Sequence, residues 1–233
     1  MKNLIKQLTI ILLLTLVFSC DKKDDNIIPN INSYPMKIGT EWTYVEQCIR
    51  KHYKPKTSIL IKEDTITSVI KISIAKDTLF SDTMKVKVFN LQKDNSGVVS
   101  REFNYLDDKG FKTYAYSNED IHIEDKPALN IKFPLNFKSS WTYKDEFEHT
   151  MRIDKKVIGS EQLNLFGQNF SCFKVAWKYS ENMGFETTDW ISNKGLVKRI
   201  RIHDKATFTT FDGKPIGLQI TEKTTLKSFK VLE

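Results

Sequence analysis

Histidine and carboxylate pairs at alternate positions are the residues of this chain whose types and spacing could do metal or acid–base chemistry. His122 and Glu124 are two apart, so on a strand they share a face. Glu146, Glu148 and His149 lie close together in sequence. A divalent metal needs three or four converging ligands. A His-x-Glu pair supplies two, and a solvated polar strand face explains it better; no metal site is expected. His149 has the parity of Phe147, Met151 and Ile153, which reads as a core histidine with one hydrogen-bond partner. His52 and His203 stand beside basic residues and read as surface. No Gly-x-Ser-x-Gly elbow, phosphate-cradling glycine loop, Cys-x-x-Cys or His-Glu-x-x-His occurs. Triads are assembled in space, so an enzyme is unsupported rather than ruled out. No catalytic residue is assigned and no cofactor is expected.

Cys20 is the residue with the clearest chemistry. Lys2 and Lys6 precede an apolar run from Leu8 to Phe18, which ends at Ser19-Cys20. A cationic start, a short apolar stretch and a small residue before the processing point describe a secretory signal over residues 1–19. A membrane-spanning helix fits less well, because eleven residues rise only about 16 Å against a hydrocarbon core of roughly 30 Å. The cysteine after Ser19 resembles the lipobox of bacterial lipoproteins, whose thiol receives a diacylglycerol and becomes the mature N-terminus. The resemblance implies a lipid anchor, palmitate among its acyl chains, at Cys20. Residues 20–33 then read as the lipidated cysteine and a flexible tether, about 40 Å long if fully extended. The run Asp21-Lys22-Lys23-Asp24-Asp25 resembles the surface-export signal of Bacteroidota lipoproteins. In proteobacteria an aspartate after the cysteine instead implies retention at the inner membrane. The outer membrane, on its periplasmic or surface face, is the expected location.

With Cys20 acylated, Cys48 and Cys172 are the remaining thiols in an oxidising compartment. Two readings stand side by side: a disulfide closing a loop of 123 residues, or two small apolar side chains that only pack.

Composition bounds the remainder. The formal charge of +7 falls to +5 once Lys2 and Lys6 leave with the signal. The largest basic group is Lys198-Arg199 with Arg201, and the other lysines and arginines are spread along strands as an expected solvated face. Nucleic-acid binding needs clustered charge in a recognisable module, and none is present. Charged residues at 28% and apolar ones at 40% describe a folded domain rather than a disordered tail.

The chain repeats one motif. Tyr34-Pro35-Met36-Lys37-Ile38-Gly39-Thr40-Glu41-Trp42-Thr43-Tyr44 aligns without a gap on Phe133-Pro134-Leu135-Asn136-Phe137-Lys138-Ser139-Ser140-Trp141-Thr142-Tyr143. The pattern implies two related halves, near residues 34–132 and 133–233 of one β-rich domain. Proline turns the chain, and Trp and Tyr then open a strand with both rings on one face. Trp42 and Trp141 are expected as core plugs; aromatic binding platforms are the other reading.

Nearly everything between alternates with period two. Ile66, Ile70, Ile72 and Ile74 share a face, as do Met84, Val86 and Val88 opposite Lys85 and Lys87, and Phe173, Val175, Trp177 and Tyr179 opposite Lys174 and Lys178. Turn signals fall at Asp94-Asn95-Ser96-Gly97, Asp107-Asp108-Lys109-Gly110, Asn193-Lys194-Gly195 and Asp212-Gly213-Lys214-Pro215. The pattern predicts an all-β, antiparallel meander, either a strongly curved half-barrel or two packed sheets.

The opening motif, together with Phe170-Ser171-Cys172-Phe173-Lys174-Val175 and Thr188-Asp189-Trp190-Ile191-Ser192-Asn193-Lys194-Gly195-Leu196-Val197-Lys198-Arg199, resembles uncharacterised Bacteroidota lipoproteins. Those are distantly similar to the curved sheets of the LolA/LolB lipoprotein carriers. The chain departs from the carriers in having no clear helix to plug the concave face.

Two functions are compatible with these features. One is a non-enzymatic binding module that holds an apolar ligand on the curved sheet, motivated by 15 Phe, 8 Tyr and 4 Trp. The other is an accessory lipoprotein docking another envelope protein.

Overall fold

A computed structural model describes residues 28–54, 57–80, 84–94, 99–145, 151–181, 184–209, 213 and 215–232. The signal, Cys20, most of the tether, and Glu146, Phe147, Glu148 and His149 lie outside them. So do residues 95–97 of one turn signal and Asp212 and Lys214 of another.

Twelve strands follow one another: β1 (Glu41–Tyr53), β2 (Leu60–Phe80), β3 (Met84–Lys93), β4 (Val99–Asp107), β5 (Gly110–Ser117), β6 (Ile121–Lys132), β7 (Ser140–Lys144), β8 (Ile153–Leu165), β9 (Gln168–Tyr179), β10 (Phe185–Ser192), β11 (Gly195–Thr209) and β12 (Pro215–Lys230). They form a single antiparallel sheet in the order β6-β5-β4-β3-β2-β1-β12-β11-β10-β9-β8-β7. The all-β, strongly curved architecture is therefore present as one curled sheet, not two packed ones. Among the described residues there is no helix. The first six strands and the last six are consecutive meanders, joined where β1 pairs with β12. Each meander opens on a strand that carries Trp-Thr-Tyr.

Bulges supply the curvature. Register slips occur at Thr43/Tyr44 against β12, Phe103/Asn104 against β5, Val157/Gly159 against β9 and Trp190/Ile191 against β11. Each extra residue bends its strand and increases the local twist. Among the described residues no backbone hydrogen bond joins the edges β6 and β7, yet side chains span the seam. Trp141 Nε1 donates to the Leu129 carbonyl at 2.9 Å, Lys155 Nζ to the Asn130 carbonyl at 3.0 Å, and Lys144 pairs with Glu124 at 3.4 Å.

The hairpins at Asp107-Gly110 and Ser192-Gly195 fall where the turn signals stand. The β8–β9 turn carries no such signal. Its two central residues, Phe166 and Gly167, both have positive φ, at 41° and 78°. That backbone suits a two-residue hairpin, but Phe is a poor marker for it.

The core lies inside the curl and is plugged by chain rather than by a helix. Tyr34 stacks on Phe111 with ring centroids 4.2 Å apart, and Trp42 lies between Tyr34 and Phe89. Ile31 is 1% exposed and pairs with Leu135. The sequence places it in the tether, but it is a core residue, because an isoleucine facing Leu135 is removed from water here. Trp42 and Trp141 are both buried in this core. Among the isoleucines expected to share a face, Ile74 is buried and Ile70 and Ile72 are half-buried, whereas Ile66 is exposed. The cause is length: β3 pairs with β2 only from Ile70 onward, leaving the first half of β2 beyond the core. A smaller cluster of Val86, Val88, Phe103 and Ala115 occupies the opposite face of β3–β5, as the alternation with Phe89 and Glu102 requires.

Candidate functional site

A half-open cavity of about 650 Å³ lies in the curl, with Tyr34 in its lining. Its apolar wall includes Ile70, Ile72, Leu91, Ile131, Ile191 and Leu196, with aromatic rings from Tyr34, Tyr44, Phe111, Tyr143 and Trp177. Within that wall stand charged groups contributed by adjacent strands. Lys155 on β8 pairs directly across from Trp177 on β9, and Asp189 on β10 directly across from Arg199 on β11. Cross-strand partners share a face, so the register itself gathers these four side chains.

Asp189, 2% exposed, is the centre of the group. It accepts from Arg199 Nε at 2.6 Å, from the second guanidinium nitrogen at 2.9 Å and from Trp177 Nε1 at 3.0 Å. Burial pushes its carboxyl up, but the bidentate Arg199 with Lys155 and Trp177 outweighs burial and holds it below the usual carboxylate range. Arg199 lies 5.0 Å from the Trp177 ring, and its own ionisation is strengthened, against burial, by Asp189.

Lys155 is 3% exposed. Its Nζ donates to the Asn130 carbonyl and sits 4.1 Å and 4.0 Å from the ring centroids of Tyr143 and Trp177. Burial, reinforced by Arg199 and Arg201 and opposed by Asp189, pushes the amine down to about 7. Across the seam a hydrogen-bonded run leads away from it. Asn130 Nδ2 donates to Thr113 Oγ1, Thr113 Oγ1 to Asn104 Oδ1, and Asn104 Nδ2 to Glu102. Burial raises the Glu102 carboxyl towards its neutral form. Glu46 with Lys93, Glu124 with Lys144, and Glu222 with Arg201 are further ion pairs that reach this cavity.

The expected solvated face of lysines and arginines therefore needs correction at Lys155 and Arg199. Both have the parity of core neighbours, Lys155 with Ile153 and Val157, Arg199 with Val197. That parity was the available signal. A charge opposite a carboxylate or an aromatic face can take a core position that a lone charge cannot.

The burial of Lys155 makes stability depend on pH in a defined direction. The unfolded amine titrates near its ordinary value of 10.5 and the folded one near 7. Between those values the unfolded chain holds one more proton, so this group makes stability rise with pH across that window. Below pH 7 the penalty is fully present. Lys155→Met should therefore gain most relative to wild type near pH 6, with the gain shrinking towards pH 10 in urea titrations. A gain independent of pH would contradict the burial of an ionisable amine.

Other sequence-selected residues lie elsewhere. His122 is exposed and stacks on Tyr116, while Glu124 reaches the cavity as the partner of Lys144. His52 meets Asp64 at 3.2 Å and His203 stacks on Phe185 at 4.1 Å, so both are half-buried and partnered rather than bare surface. Among the described residues no group of three or more His, Cys, Asp and Glu could hold a metal. Cys48 on β1 and Cys172 on β9 are free thiols with three strands between them in the sheet order. A bridge needs Cα atoms within about 7 Å, and in this arrangement the two stand as separate thiols, Cys48 half-buried. Cys172 is fully buried, and burial, with Glu161 nearby, pushes its thiol up to about 12.

No protein-family model matches the chain, and no curated protein matches it. Among solved structures, a domain from Vibrio parahaemolyticus described as an outer membrane lipoprotein-sorting protein domain is similar over 82% of this chain and 87% of that one. Identity is 10% and the TM-score 0.23. So loose a likeness carries no argument about activity.

Proposed function

We propose that the protein is a lipid-anchored envelope protein whose curled sheet binds a small molecule with an apolar body, without catalysis. The cavity carries this reading. Small-molecule sites are concave, with apolar walls and placed polar groups; here aliphatic and aromatic side chains form part of the wall, and Lys155, Asp189 and Arg199 stand in it among further charged residues. The anchor is Cys20, on the strength of the apolar run and Ser19 before it. Metabolic labelling with an alkyne fatty acid should tag the wild type and leave Cys20→Ser unlabelled; equal labelling would remove the anchor. Native mass spectrometry of protein purified from its own host tests the binding role, which is supported by a co-purifying small molecule.

One observation favours the accessory role instead. Ile59, Leu60, Ile61 and Ile66 are exposed, and β2 has no partner on its β3 side before Ile70 among the described residues. A free strand edge with apolar side chains can pair with another chain. A stoichiometric partner protein in the same measurement, with no small molecule, would decide for it.

A further inference from the structure

We propose that Lys155 anchors the carboxylate of the bound molecule, so that the ligand is a monocarboxylic acid with an apolar body. This rests on the binding role above and names its headgroup. The charges lining the cavity are matched almost throughout: Arg199 with Asp189, Arg201 with Glu222, Lys144 with Glu124, and Glu46 with Lys93. Glu102, whose carboxyl burial raises, accepts from Asn104. Among the described residues Lys155 has no carboxylate within ion-pair distance.

An ammonium carries three donors, and Lys155 gives one to the Asn130 carbonyl while two aromatic faces flank it. A buried cation without a counter-ion is costly. Asp189 is committed to Arg199 and offsets the burial of Lys155 only in part; a carboxylate on Nζ would supply a direct counter-charge. A phosphate would bring a second negative charge towards Asp189, which the balance of this cavity disfavours. The apolar body then lies against Ile70, Ile72, Leu91, Ile131, Ile191 and Leu196.

Binding a carboxylate fixes the proton on Lys155. The groups around it are Tyr143 and Lys144 from β7, Asp189 from β10, Arg199 and Arg201 from β11, Glu124 from β6 and Glu102 from β4. Burial with the two arginines leaves the free amine about half protonated near neutrality. Affinity for a carboxylate therefore falls as pH rises above 7, by up to about tenfold per unit.

The test displaces the uncharged fluorophore N-phenyl-1-naphthylamine from the full chain carrying Cys20→Ser. The competitors are dodecanoate and dodecanol, between pH 6.5 and 9. Dodecanoate should bind at least about tenfold more tightly than dodecanol at pH 6.5, the scale of one charge-assisted hydrogen bond. That preference should shrink towards pH 9. Lys155→Met should remove the preference while dodecanol still binds. Lys155→Arg, always charged, should restore it without the pH dependence. Equal affinities in the wild type, or a preference that survives Lys155→Met, overturn the anchor and leave the binding role standing. Failure of fluorophore, dodecanol and dodecanoate alike overturns the binding role itself.

Discussion

Asp189→Ala should lower the stability of the folded protein by about 3–5 kcal/mol, the cost of stranding one member of a buried ion pair. Arg199 would keep its guanidinium in the cavity wall with neither of its two short bonds to Asp189, and Trp177 Nε1 would lose its acceptor. Lys155 would also lose the negative charge that offsets part of its burial. The loss should therefore exceed that of cutting an exposed pair such as Lys51 with Glu63, where about 0–1 kcal/mol is expected. Urea denaturation at pH 7 measures both. The double variant Asp189→Leu with Arg199→Met should recover most of the stability, because it removes both charges and keeps the volume. If Asp189→Ala unfolds at the wild-type urea concentration, Asp189 and Arg199 are solvated and the site as described is wrong.

Trp42→Ala should cost on the order of 3–5 kcal/mol, as expected for a large aromatic deleted from a core that cannot collapse around the gap. The ring is 1% exposed, and its Nε1 donates to the Lys194 carbonyl at 2.7 Å. It thereby ties the first strand of one meander to the β10–β11 turn of the other. The site around it is rigid. At Gly195, whose φ is +104°, an added Cβ would meet Tyr34 at 3.1 Å and Trp42 Nε1 at 3.3 Å. Trp42→Phe should lose less, retaining most of the buried area but leaving the Lys194 carbonyl without its donor, a penalty of about 1–3 kcal/mol. Trp141, tied to the Leu129 carbonyl across the seam, should behave in the same way on truncation. An unchanged melting temperature with ligand lost would make either tryptophan a binding platform instead.

Much of the wall was legible from parity. Phe173 and Val175 face inward with Trp177, and the turns at Asp107-Gly110 and Ser192-Gly195 sit where Asp, Asn and Gly mark them. The β8–β9 turn was not, since Phe166 takes a positive φ without the residue type that announces one. Residue type alone puts Lys155 and Arg199 on a solvated face, whereas their position in the alternation puts them inside. Their burial depends on Trp177, Tyr143 and Asp189, and no window of sequence contains all of these.

By itself the sequence determined the element type, the antiparallel meander and, between bulges, which residues of a strand share a face. These follow from a side-chain period of two and from short-range turn chemistry, which are properties of a few adjacent residues. Only the tertiary structure decided that twelve strands curl into one sheet with a seam bridged by Trp141, Lys144 and Lys155. It also decided that Ile31 belongs to the core and that the thiols of Cys48 and Cys172 stand three strands apart. The physical reason is that curvature accumulates from bulges along every strand, each a one-residue slip with no signature of its own. Which charges become buried is then set by partners brought together only when the curl is complete.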